Sequence, residues 1–188
     1  MFDATRSKFT ACMRRLMRGR LARRFVRQQD GAAAVEFALV AAPFLALTFA
    51  ILETAMVFFA GQTLEAAAAN AARLVMTGQA QTSGFSQADF KNAVCARIYG
   101  LFDCTNGVYV DVKSYSSFSS INTASPVTNG VLNTASMGYT PGNPGDIVVV
   151  SLYYQWPIYV SFGSNLSNLN GGNRLLTATS VFRVEPYK

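Results

Sequence analysis

From Phe37 to Leu52 the chain reads FALVAAPFLALTFAIL, a run without a single charge. Beyond Glu53 the stretch TAMVFFAGQTL is uncharged again. As a helix, Phe37 to Ala60 would extend about 36 Å, against a hydrocarbon layer of about 30 Å. A segment of this kind is long enough to span the bilayer. The expectation is one transmembrane helix.

Charge sets its direction. Residues 1–30 hold nine basic residues against Asp3 and Asp30, a net +7. The rest of the chain is close to neutral, with seven basic and eight acidic residues. An arginine-rich block can serve nucleic acid, an anionic lipid surface or membrane orientation. Directly before a spanning segment it serves orientation, keeping the N-terminus cytoplasmic and sending the C-terminal part outward; nucleic acid is not an expected partner, and membrane lipid is. A cleaved secretory signal is the competing reading. Its apolar core is usually about 7–15 residues and ends in a small-residue cleavage site. Here the run is longer and flows into QTLEAAAANAARLVM, which continues the helix.

Residues 32–77 read as one helix with Gly78 as its stop. Its second half has to leave the bilayer, and Glu65, Asn70 and Arg73 appear only after Gly61, a flexible point in this reading. Leu64, Ala68, Ala71, Leu74 and Val75 recur near helical spacing and form a stripe for a soluble domain. Pro43 removes the bond to the Leu39 carbonyl and is expected to kink or loosen the membrane half. A second helix starts at Ser86, with Asp89 completing a capping-box-like pattern, and presents Phe90, Val94, Ile98 and Leu101 before stopping near Gly100.

Then the period changes to two. Val108, Val110 and Val112 alternate with Tyr109, Asp111 and Lys113, a half-buried strand. Residues 146–156 (DIVVVSLYYQW) form the strongest strand, and 175–185 the last, with Leu176, Ala178, Ser180, Phe182 and Val184 on one side. Residues 116–142 and 164–173 read as loops. The fold class is therefore α+β: a long N-terminal transmembrane helix continuing into a small exported domain, with a second helix on an antiparallel sheet of three or four strands. The divisions are a basic leader 1–31, a transmembrane helix 32–60, a helix extension 61–78 and an exported domain 79–188.

The chemistry-bearing residues are few. The chain has no histidine, its exported carboxylates are scattered singly, and no phosphate loop or nucleophile elbow occurs. Neither an enzyme, a cofactor nor a metal site is expected; the loop 138–146 brings only Asp146 to a cation. Cys12 lies in the leader, while Cys95 and Cys104 can pair if the outer compartment is oxidising. Glu36 is a lone carboxylate at the start of an apolar run, costly in lipid and without a cation in reach on its own helix. It can sit among headgroups. Alternatively, a cut after Gly31 would leave a positive amino group on Ala32 for Glu36 to pair with. Glu53 also has two readings, at the outer interface or within lipid with a partner. The aromatics Tyr153, Tyr154, Trp156 and Tyr159 can be strand faces, partly core and partly near-membrane belt.

Together, GAAAVEFALVAAPFL, LETAMVFF and LEAAAANAAR, with PGDIVVVSLYYQW and TATSVFRVEPY further on, resemble the TadE-like family of minor pilins or pseudopilins of the tight-adherence (Tad/Flp, type IVc) pilus system. The resemblance implies that Gly31 precedes the bond cut by a prepilin peptidase, with Ala32 as the mature N-terminus. Glu36 and Phe37 would complete the recognition pattern, and Glu36, Pro43 and Glu53 would serve helix packing and assembly. The implied partners are that peptidase, the major Flp-type pilin, other minor pilins and the inner-membrane pilus platform. The implied role is assembly of pili for adherence and biofilm formation. Two other classes keep the same topology: a signal-anchored envelope binding module with no pilus role, and a secreted hydrolase with an uncut anchor.

Overall fold

The structure is a computed structural model that describes residues 30–98, 100–101, 103–122, 124–160 and 166–187; the basic leader and Cys12 lie outside the described residues. Two compact units divide between Phe49 and Ala50.

Helix α1 runs from Asp30 to Met76, with Pro43 inside it and no break at Gly61. Its composition explains the length, since alanine, leucine and phenylalanine dominate and neither glycine is accompanied by a second breaker. In the first unit its side chains are largely bare: Phe37 is 75% exposed, and Leu39, Val40, Phe44 and Leu47 are exposed with it. One helix long and apolar enough to cross a membrane is present among the described residues, and it fits a single-pass membrane anchor.

In the second unit the same helix changes character. Val57, Ala60, Leu64, Ala67, Ala68, Ala71, Ala72 and Val75 are buried in the core. Their spacing of three and four residues makes the stripe, and the small alanine side chains let the backbone approach the sheet closely. The helix stops at Gly78, whose φ of 77° is easy only without a Cβ. A Cβ there would also run into the Tyr187 ring. The C-terminal segment crosses this point, and the Glu185 N–H donates to the Met76 carbonyl at 2.9 Å.

A single turn, α2 (Gln79–Thr82), leads to α3 (Gln87–Cys95). Ser86 and Asp89 form the reciprocal capping box: Ser86 Oγ accepts from the Asp89 N–H, and the Asp89 carboxylate accepts from the Ser86 N–H. Phe90 and Val94 of α3 are fully buried. The helix ends at Cys95, earlier than the sequence pattern suggests. Cys95 is bonded to Cys104, with Cα atoms 5.6 Å apart, and a second short turn, α4 (Cys104–Gly107), starts at that bridge. The chain thus has to double back within nine positions, which no continuing helix allows.

The sheet has the order β1–β4–β5, all antiparallel, from β1 (Val108–Tyr115), β4 (Ile147–Pro157) and β5 (Asn173–Arg183). Val110 faces Leu152 across the first pair, and Ala178 faces Leu152 across the second. Val108, Val110 and Val112 are buried while their neighbours are half-exposed, as the alternation requires. The expected α+β architecture holds, with three strands in this sheet and a separate two-stranded one.

That second sheet lies in the stretch read as loop. β2 (Val127–Thr128) pairs with β3 (Val131–Leu132) across Asn129-Gly130, both with positive φ. Asn-Gly between two short strand-forming pairs is a strong short hairpin signal. Asn170 secures the turn, donating from its side chain to the Asn129 carbonyl and from its backbone to the Gly130 carbonyl, each at 2.8 Å. Further on, Val112 bridges to Tyr139 in parallel, and Asp111 accepts the Gly138 N–H at 2.9 Å. The long connection is therefore tied to the edge of β1 and covers part of it.

Candidate functional site

The sequence singles out the start of α1, and the structure presents it fully exposed. Gly31 is exposed on α1, with nothing near the place of a Cβ. Ala32 and Phe37 are exposed beside it. Glu36 is exposed too, and among the described residues its carboxylate has no hydrogen-bond or ionic partner. Five positions separate it from Gly31, so a new amino group at Ala32 would stand one helical turn away.

Pro43 stands seven residues further on without ending the helix. Thr48 Oγ1 donates to the Phe44 carbonyl at 2.8 Å, a local back-bond typical of hydroxyls in apolar helices.

Glu53 behaves differently from Glu36. It is only 9% exposed. Its two carboxylate oxygens accept the backbone N–H groups of Tyr159 and Val160, at 2.6 and 2.5 Å. Charge-assisted bonds of this kind are roughly twice as strong as neutral ones. The carboxylate takes its partners from this chain's own backbone, just past the end of β4. Nothing local in the sequence announces this pair, since over a hundred residues separate its members. The one available signal was Pro157, which stops the ladder and leaves the next amides in need of acceptors.

Away from the helix, Cys95 and Cys104 form their bridge beside the core, with Cys104 buried and Cys95 half-buried. The exported carboxylates Asp103 and Asp146 serve local turns. The Asp103 side chain accepts from the Asn106 N–H and side chain, and both bonds hold its carboxyl below the usual carboxylate range. Asp146 accepts the Asn143 N–H at 2.8 Å. Asp111 pairs with Lys113 at 2.8 Å, and that bond raises the lysine. The Tyr139 hydroxyl is buried with no hydrogen-bond partner, and burial, helped by the nearby Asp89 charge, pushes it up to about 12. Tyr139 stacks at a tilt on Phe90, centroids 5.5 Å apart, so its role is packing. Of the four aromatics, Tyr153 is buried, Tyr154 and Trp156 pack against the core, and Tyr159 is 83% exposed.

Residues 31–73 match the family model of the TadE-like protein. The match begins at Gly31 and takes in Glu36, Phe37, Pro43 and Glu53, then ends before the sheet domain. No curated protein and no solved structure matches the chain.

Proposed function

From the premise that this chain is TadE-like along its anchor helix and hence associated with Tad pili, we propose that it is a membrane-anchored minor pilin, or pseudopilin. It assists assembly of Tad/Flp pili and thereby surface adherence and biofilm formation. The observation that carries the reading is the coincidence of the family match with the exposed stretch from Gly31 to Phe37. The match opens on Gly31, the residue before the candidate cut.

In this reading the protein is a substrate and a building part, with no catalysis or cofactor of its own. The arginine-rich leader stays on the cytoplasmic face of the inner membrane. A prepilin peptidase cuts after Gly31. The new amino group of Ala32 and the Glu36 carboxylate then neutralise one another, within a helix or between neighbouring helices. The bare apolar surface from Phe37 to Leu47 packs laterally against the major pilin, other minor pilins or the pilus platform. In lipid such packing is driven by van der Waals fit and polar contacts, and alanines at the interface favour close approach. The disulfide-closed sheet domain is displayed outside, where oxidation of Cys95 and Cys104 is chemically favoured.

N-terminal sequencing of the protein extracted from its native membrane tests the reading. The expected mature start is Ala32, and Gly31→Leu should leave the leader attached. An intact start at Met1 or Phe2 in piliated cells would end the processing step. Deletion should abolish pili while the major pilin remains stable; pili of normal number would leave only an envelope binding module.

A further inference from the structure

We propose that the segment Ile158–Val160, together with Glu53, is a second membrane contact, lying in the interfacial layer of the bilayer beside the anchor helix. The inference rests on reading α1 as a membrane anchor and adds to it a part of the sheet domain.

The argument begins with the side of α1 that the domain leaves uncovered. Val57, Ala60 and Leu64 face the core. At 100° per residue, Ile51, Leu52, Phe58 and Phe59 fall on the opposite side. All four are large, apolar and more than half exposed. No charged residue occurs between Glu53 and Glu65. Two adjacent bare phenylalanines on a charge-free stretch are suited to lipid and poorly suited to water. The hydrocarbon layer therefore reaches Phe58 and Phe59 on that side. Glu53 lies about 8 Å nearer the start of the helix, and so in the headgroup–acyl boundary zone at that edge.

Two polar groups are then carried into a poor solvent, and they answer each other. A carboxylate there needs donors. The amides of Tyr159 and Val160, released from the ladder beyond Pro157, need acceptors. Both amides go to Glu53, one to each oxygen. Tyr159 completes the picture: it is 83% exposed, more than any other large hydrophobic side chain among the described residues, directly beside this pair. An amphipathic ring of this kind favours the headgroup level, with its apolar body toward lipid and its hydroxyl toward water.

The test uses the full chain reconstituted in phosphatidylcholine vesicles. Trp156 is the only tryptophan, so a Trp156→Phe background allows single reporters. Tyr159→Trp reports on the segment, and Phe44→Trp reports on the anchor. Each is read with lipids brominated near the glycerol end, with lipids brominated near the bilayer centre, and with aqueous acrylamide. The proposal expects Tyr159→Trp to lose emission to the shallow bromines, less to the deep ones, and to be partly shielded from acrylamide. It expects Phe44→Trp to be quenched by bromines at one depth or the other and shielded from acrylamide. A Phe44→Trp signal quenched by lipid, beside a Tyr159→Trp signal quenched by acrylamide alone, overturns the second contact and leaves the anchor standing. A Phe44→Trp signal that no brominated lipid touches overturns the anchor and the contact with it.

Discussion

The two stretches of α1 use the same residue types to opposite ends. Before Ala50, large side chains such as Phe37, Leu39 and Phe44 are bare, and the helix contributes nothing to a protein core. From Val57 to Val75, mostly small side chains are buried to within a few per cent of completely. A helix in water buries its apolar residues on one face, and the second stretch does so. The first is apolar on nearly every side, which fits a stretch surrounded by lipid. The contrast teaches that hydrophobic content alone does not locate a core: both stretches are rich in alanine, and only the second turns a stripe of them onto the sheet domain.

Substitutions that treat the two stretches alike should therefore give different results. The chain's tyrosines and its tryptophan all lie beyond residue 98, so near-UV circular dichroism in detergent micelles follows the sheet domain alone. Phe90→Ala removes a fully buried ring and should cost the domain about 3–5 kcal/mol in urea unfolding. Phe44→Ala should leave the same transition unmoved. A shift of comparable size from Phe44→Ala would mean that the first stretch is part of the core after all.

Next in size is the bridge. Cys95 and Cys104 are nine positions apart, and a loop of that length is expected to contribute about 2–3 kcal/mol through the unfolded chain. A Cys95→Ser/Cys104→Ser double variant should lose that much and still insert in membranes. Ala68→Leu should follow, at about 1–3 kcal/mol from overpacking, since Ala68 is buried against the domain. Ala42→Leu, on the exposed stretch, should be neutral. Equal effects at the two alanines would erase the distinction drawn between the stretches.

The smallest effect belongs to the cap of α3. Ser86→Ala should cost about 1 kcal/mol. The hydrogen bonds from Ser86 hold the Asp89 carboxyl below its ordinary value. A lowered folded-state value means that the stabilisation is complete above the ordinary carboxylate range and fades as pH falls through the folded value. Unfolding midpoints measured between neutral and acid pH should therefore fall less steeply in Ser86→Ala than in the parent.

The same contrast shows how far the sequence could be read. Local rules carried the elements: the uncharged run gave α1, Ser86 and Asp89 gave the start of α3, and the valine alternation gave the buried face of β1. The Asn129-Gly130 hairpin follows the same rules, although the surrounding serine and asparagine composition reads as loop. The early end of α3 was not legible, since it depends on where Cys104 returns to meet Cys95. The partners of Glu53 were further still from view. A carboxylate in an apolar run demands donors, but only the folded sheet decides that the amides of Tyr159 and Val160 supply them. For Gly31 and Glu36 the signal lies in spacing, and the structure adds that both are exposed on α1.

The central claim is that the bare stretch of α1 lives in lipid. The most direct measurement is fractionation of native membranes carrying the full chain, washed at alkaline pH and then treated with detergent. The account predicts that the protein stays with the membrane through the wash and is released only by detergent. Recovery of a folded, monomeric protein in the wash without detergent, with residues 37–60 protected from hydrogen exchange as an interior helix, would contradict it.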